Sequence, residues 1–420
     1  MGSHVAFLMC YAESMRKEGL KTILILGAGF AGVRCALELS KRSSQLQGYR
    51  IVLVNRHSYH LFTPWLYQRA TTGAPADGLK IPLHTIFHRQ SVELIVGEIT
   101  QIDRARRMVA LKSGQMIAYA YLVLALGSVR NDLGIPGIKQ YGLALKSYAD
   151  AEVIHEALKT RYRTFLGSAP PGSLFQVVVG GAGLTGVELT AELHVKLKQL
   201  AQGFGDSQER FVIKLLDADQ RILHGLPTWM AANIQTRLGS FRHIQVMLQS
   251  RIEKVDRRMV TLQNGDRYEH ELFIWTGGVA AHPLSRVCPV DRTSRIQVGM
   301  DLTVAHDDQT FAIGDIAICQ NPKTHRESQQ TIVTAYTQGA LAARNIVHRI
   351  NGEHLSTDHR SSPGYIVPVR GAWAVSSLGL PLVGQPAVWL LHAIHLRYFI
   401  QILPFPDAIK RWYTHLVATF

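Results

Sequence analysis

"ILILGAGFAG", residues 23–32, decides the fold. Its first four residues, Ile23 to Leu26, are apolar and read as a buried strand, and Gly27, Gly29 and Gly32 follow in the spacing G-x-G-x-x-G. In that spacing the first glycine permits a tight turn and the second lets a pyrophosphate approach the backbone. The third lets the next helix pack closely on the strand. The helix start then offers free N–H groups and a partial positive charge to phosphates. Ala28, Phe30 and Ala31 complete the cradle between the glycines.

One such motif is weak evidence, because a glycine-rich turn need not hold a ligand. This chain carries two. "VVVGGAGLTGVEL", residues 177–189, sets Gly181, Gly183 and Gly186 in the same spacing, with Leu184 and Thr185 before the last glycine. Each copy is followed by the same series of segments. A second strand ends in a polar residue, Asn55 (then Arg56) in the first copy and Asp217 in the second. Alternating hairpin segments come next, turning at Ser113-Gly114 and Asn264-Gly265, and then a buried strand running into Gly127 or Gly277. The repeat predicts an α/β chain with two Rossmann-like dinucleotide-binding domains and β-hairpin insertions. The expected order is a disordered lead (1–20), a first domain (21–148), a second domain (149–278), a return to the first (279–354) and a C-terminal segment (355–420).

The residue ending the second strand bears on which nucleotide binds. A carboxylate at Asp217 accepts both ribose hydroxyls and repels a 2'-phosphate, which favours NAD over NADP. Asn55 can hydrogen-bond a ribose hydroxyl without the charge, and Arg56 can stack on adenine or meet a phosphate.

Bulk properties narrow the class further. The 420 residues are 47% hydrophobic and carry a formal charge of +14. That charge suits a nucleic acid, an anionic membrane surface or acidic ligands. The basic residues are not clustered with aromatic platforms, so no nucleic-acid partner is expected. Cys10, Cys35, Cys288 and Cys319 are scattered and form no C-x-x-C pair. Neither a disulfide framework nor a metal site is expected, and a reducing compartment fits. No stretch reaches the roughly 18 uninterrupted apolar residues of a spanning helix.

With these pieces in place the chain resembles the two-dinucleotide-binding-domain flavoproteins, and within them the type II NADH:quinone oxidoreductases. The matching pieces are "ILGAGFAGVRCALEL", the segment 51–73 with "YHLFTPWLYQ", "YLVLALGS", "VVVGGAGLTGVELTAEL", "IWTGGV", "TFAIGDIA" and the tail "WLLHAIHLRYFI". The resemblance implies an enzyme holding FAD at the first site and taking NADH at the second. Electrons would pass to a membrane quinone without ion pumping. It implies that Gly314 and Asp315 of "FAIGD" meet the flavin and that Glu188 lies near the nicotinamide, with a role in orientation or proton supply. Gln338 would stand on the quinone side. It also implies peripheral attachment to the cytoplasmic face of a membrane, in a respiratory chain. A homodimer stays open, as do two alternatives: a sulfide:quinone oxidoreductase and an apoptosis-factor-like flavin/NADH switch.

Three positions depart from the family pattern. Leu126 replaces a Thr, Val333 replaces a Gln, and His84 stands where an Arg is common. In the tail, "VWLLHAIHLRYFIQIL" (388–403) and "DAIKRWYTHLV" (407–417) read as helices on a lipid surface. Ile409, Trp412 and Leu416 form the expected apolar stripe of the second.

Overall fold

The computed structural model describes residues 19–321, 325, 327–357, 364–370 and 372–419. The lead, with Cys10, lies outside the described residues. The helices that carry functional segments are α1 (Phe30–Ser40), α2 (Leu66–Ala70), α3 (Tyr148–Ser168), α4 (Leu184–Gly203), α5 (Ile332–Ile350), α6 (Gln385–Ile402) and α7 (Phe405–Thr419).

The chain forms two compact units. The first comprises Met1–His60, Pro82–Val129 and Ala280–Ser362; the second comprises Leu61–Ile81, Arg130–Val279 and Pro363–Phe420. Among the described residues, the first is built on an eight-stranded sheet. Its parallel strands include Tyr121–Leu124, Lys21–Leu26, Tyr49–Asn55 and, at the sheet edge, Val92–Val96, with Leu26 in register with both Val54 and Leu124. Along Ile23–Leu26, Ile51–Val54 and Tyr121–Leu124 the strands are apolar and buried on both faces, as parallel strands covered on both sides must be. Ile23, Leu26, Val54 and Leu124 are fully buried.

The second unit repeats the design on a five-stranded parallel sheet. Gly180 lies in register with Leu216 and with Trp275. Each unit carries a three-stranded antiparallel insertion, Ile99–Asp103 to Met116–Ala118 in the first and Ile252–Val255 to Arg267–Glu269 in the second. The internal repeat of the sequence is thus a repeat of structure.

Two segments that sequence order would leave with the first domain pack in the second unit. Leu143–Ala144 pairs in parallel with the strand Leu272–Trp275. Residues 61–81 are tied to α3, where Arg69 pairs with Glu152 and the His155 ring Nδ1 lies 2.9 Å from the Thr71 carbonyl. α3 starts with a capping box, Ser147 Oγ accepting from Asp150 N while the Asp150 carboxylate accepts from Ser147 N.

The C-terminal residues are integral to the second unit. The strands Ile366–Pro368, Ala374–Ser376 and Leu382–Gly384 form a small sheet, on which α6 buries Ala387 and Val388. Among the described residues no helix is long and apolar enough to cross a membrane.

Candidate active site

The first glycine turn shows a separate reason for each glycine. Gly27 has φ +103°, and a Cβ there would come 2.5 Å from the Ala125 carbonyl oxygen. A Cβ on Gly32 would collide with the carbonyl of Gly27. Gly29 differs: its φ is −74°, which any residue adopts, and nothing lies within 4 Å of its would-be Cβ. Two glycines therefore serve the protein's own packing, while the middle one keeps a space clear at the start of α1. The second turn matches. Gly181 has φ +103° and closes on Gly277, Gly186 closes on the Gly181 carbonyl, and Gly183, with φ −72°, faces open space. Leu184 and Thr185 begin α4, Leu184 half-buried and Thr185 exposed.

The polar residue ending each second strand holds its own turn. The Ala28 N–H donates to Asn55 Oδ1 at 2.9 Å, and the Ala182 N–H donates to Asp217 Oδ2. Asp217 Oδ1 also accepts from Asp219 N at 2.8 Å. The same residue can thus shape the turn and offer its remaining lone pairs to a ribose. Arg56 is exposed, its Nε–H directed at His57 Nε2 (3.3 Å). Beside Asp217, a cavity of about 770 Å³ is lined by Asp219, Arg221, His224, Arg251, Gln263 and Asn264 among others.

In the first unit the "FAIGD" segment converges on the same cradle. Gly314 has φ +74°, and a Cβ there would stand 3.2 Å from the Ala31 side chain. Asp315 Oδ2 accepts from Ser128 Oγ at 2.6 Å, next to Gly127. Gly127 itself has φ +69° and open space beside it. Gln338, expected on the quinone side, is buried, and its Oε1 accepts from Gly314 N at 2.7 Å. In this structure it holds the turn that presents Asp315. Thr331 caps α5 by accepting from Thr334 N at 3.2 Å. Of the three departures, Val333 and His84 are exposed, whereas Leu126 packs against the first unit's core.

Sequence reasoning missed His60. It is fully buried, its Nδ1–H donates to the Ala28 carbonyl at 2.9 Å, and its ring meets the edge of Phe30 at 4.8 Å. Burial pushes its pKa down to about 4, so it braces the cradle as a neutral ring. No spacing rule singles it out, because its partner is a backbone carbonyl 32 residues away.

Glu188, on the first turns of α4, is half-buried. Burial first, and the neighbouring Glu192 second, raise its pKa to about 8. It is a carboxyl that keeps its proton at neutral pH.

The described cysteines are poor candidates for sulfur chemistry. Cys35, Cys288 and Cys319 are all buried, and none of them forms a disulfide. Burial pushes the Cys35 thiol far up and the Cys288 thiol to about 11, so neither offers a thiolate.

Two open glycine cradles, each on a parallel sheet and each closed by a polar strand end, define a protein with two dinucleotide sites. The profile of the pyridine nucleotide-disulphide oxidoreductase family matches residues 21–339, and the chain belongs to that family. It is similar to the type II NADH:quinone oxidoreductase of Staphylococcus epidermidis, 25% identical over 391 residues, covering 91% of this chain and 96% of the relative. The Staphylococcus aureus enzyme of the same name is 24% identical over 388 residues, covering 91% and 96%. Among solved structures, NDH2 from Plasmodium falciparum in complex with NADH superposes with a TM-score of 0.82 at 16% identity, covering 94% of this chain and 97% of that one. The sulfide:quinone oxidoreductase of Aquifex aeolicus gives 0.74 at 16% identity, covering 90% of each chain.

Proposed function

We propose that this chain oxidises NADH and passes the electron pair through FAD to a membrane quinone, as a type II NADH:quinone oxidoreductase. The observation that carries the reading is the duplicated open cradle, with the Asp315 turn added to the first. FAD would lie along Gly27–Gly32, with Asn55, Arg56, Gly127, Gly314 and Asp315 around it. NADH would lie along Gly181–Gly186, with Asp217 and Gly277. Bound FAD supplies the two-electron chemistry that links a nicotinamide donor to a quinone acceptor. The starts of α1 and α4 offer positive ends to the two pyrophosphates. The overall reaction, NADH + H⁺ + quinone → NAD⁺ + quinol, draws one proton from water per turnover, and Glu188 is a carboxyl suited to deliver it. The buried thiols of Cys35 and Cys288, both pushed up by burial, speak against sulfide as the donor. The test is steady-state NADH oxidation with a water-soluble quinone; failure of NADH to bleach the flavin would overturn the reading.

Asp217→Asn tests the choice of nucleotide. Asn55 already holds the homologous turn in the first unit, so the substitution keeps an acceptor for Ala182 N–H while removing the charge and the second acceptor that Asp219 N–H uses. The NADH-over-NADPH preference in kcat/KM is expected to relax about tenfold, a change of about 1.4 kcal/mol. A wild type that uses both nucleotides equally would refute the electrostatic argument.

We also propose that the second unit rests on the cytoplasmic surface of a membrane through its C-terminal helices. α6 is apolar on the outside: His392, His395, Tyr398 and Phe399 are buried, while Trp389, Ile394 and Ile400 are exposed. On α7, Trp412 turns inward, its Nε1–H donating to the His392 carbonyl at 2.9 Å. Ile409 and Leu416 are half-buried, and Tyr413 and Val417 face out in place of the expected stripe, near exposed Phe405. Apolar and aromatic groups facing out beside a net-positive chain suit an anionic interface. Trp389→Ser with Phe405→Ser is expected to lower binding to anionic liposomes at least tenfold while NADH oxidation by a water-soluble quinone persists. Unaltered liposome binding would refute this attachment.

A further inference from the structure

Glu188 has a buried neighbour that the reaction as written does not use. Glu192 stands one turn further along α4, and side chains four residues apart on a helix are neighbours. It is only 4% exposed. Its Oε1 lies 3.4 Å from Arg370 Nη1, and its Oε2 has no hydrogen-bond partner. Arg370 comes from just beyond the strand Ile366–Pro368, and its backbone carbonyl accepts from Arg237 Nη2 at 2.8 Å. α2 packs against α4, and its buried Tyr67 is near enough for both carboxyls and the guanidinium to act on it electrostatically. The cluster is thus two acids from α4, a phenol from α2 and one cation.

We propose that Glu192 and Arg370 are a positioning pair that keeps the transferable proton on Glu188. This rests on the functional reading above, in which a quinone takes up that proton. Two neighbouring carboxyls out of water do not both ionise, because each charge is repelled by the other and poorly solvated. One guanidinium compensates one carboxylate. Burial raises the pKa of both carboxyls, but only Glu192 has Arg370 against it to favour its charged form, so of the two it is Glu188 that keeps the proton. The Glu192 charge in turn holds the Glu188 proton in place. Burial and the two carboxyls push the Tyr67 hydroxyl well above its ordinary range, so it stays an O–H donor beside them.

The proton count closes. NADH delivers two electrons and one proton, and quinol formation takes two electrons and two protons. The Glu188 O–H bond breaks as the quinone oxygen gains the second proton, and the Glu188 carboxylate is then reprotonated from water. Glu192 and Arg370 exchange no atoms and fix only where the charge sits.

The test uses the FAD-loaded chain and two readouts. The infrared band of a protonated carboxyl, assigned to Glu188 by its loss in Glu188→Gln, is titrated without turnover. The alkaline limb of kcat is measured alongside. In Glu192→Gln both are expected to move to lower pH by about one unit, because the like charge is gone and Arg370 is freed. Arg370→Lys, which keeps the cation, is expected to hold both near their wild-type positions. Flavin absorbance reports that each variant is folded and loaded. A band that titrates at the same pH in wild type and Glu192→Gln overturns the pair. Since the infrared titration needs no quinone, loss of NADH oxidation in the wild type would instead count against the functional reading.

Discussion

Gly29→Val gives a folded, colourless protein. The backbone at Gly29 is extended (φ −74°, ψ −172°), which a β-branched residue adopts readily, and no protein atom lies within 4 Å of the new Cβ. The apo fold is therefore undisturbed. The space the side chain enters is the space a pyrophosphate needs against the helix start. FAD affinity is expected to fall at least about 100-fold, roughly 2.7 kcal/mol, with the apo melting temperature unchanged. Gly183→Val makes the same change in the second cradle, where φ is −72° and the space is equally open. That variant is expected to stay yellow and lose reduction by NADH. The two variants assign the two cradles independently. A yellow Gly29→Val protein would mean that FAD lies elsewhere. Gly32→Ala is no substitute for this test, because its Cβ would strike the Gly27 carbonyl and unseat the turn itself.

The parts of this design visible in the sequence are those fixed by local backbone demands. Glycine spacing is one, since the positions of Gly27 and Gly32 follow from turn geometry and helix–strand approach whatever the rest of the chain does. The polar strand ends are another, because Asn55 and Asp217 each close the second strand that follows a glycine motif. What stayed hidden depends on partners distant in sequence. His60 matters through the carbonyl of Ala28, and Gln338 through the N–H of Gly314, and no periodicity reports on either. The placement of 61–81 in the second unit rests on side chains of α3 that look like ordinary helix-surface residues in the sequence. In the tail, helical periodicity shows that α6 and α7 have two faces but not which face is inward. Apolar residues nearly encircle α6, and the imidazoles of His392 and His395 went inside with Ala387, Val388 and Ile402. They meet an aromatic cluster there, His395 lying 5.3 Å from Phe62 and 5.4 Å from Trp65.

Burying neutral histidines makes the chain acid-labile. His60, His194 and His270 are buried with pKa values lowered to about 4, and His395 to about 3. Burial is the first cause in each, with His392 adding to it at His395 and His243 at His194. A histidine whose folded pKa is depressed takes up its proton more readily when unfolded. Its contribution is complete above the unfolded value of about 6.5 and is lost as pH falls from there toward the folded pKa. Glu188 and Glu192 work the other way: raised pKa values add stability as pH falls, and for Glu188, raised to about 8, the gain continues through the same window. The histidines outnumber them, and one unit of displacement in each of the four is worth about 5 kcal/mol together. That is comparable to the ~5–15 kcal/mol stability of a whole protein. The melting temperature is therefore expected to hold from pH 8 to 7 and fall steeply between pH 6.5 and 5. His395→Leu keeps an apolar group against Phe62 and Trp65 and removes the titrating ring, so the fall should be shallower in that variant. A melting temperature independent of pH across this range, or the same slope in His395→Leu, would contradict the argument. The segment most exposed to this effect is α6, which also presents Trp389 and Ile400 outward. Protonation would loosen the helix from its inner side, and liposome attachment should weaken in acid over the same pH range as the melting temperature.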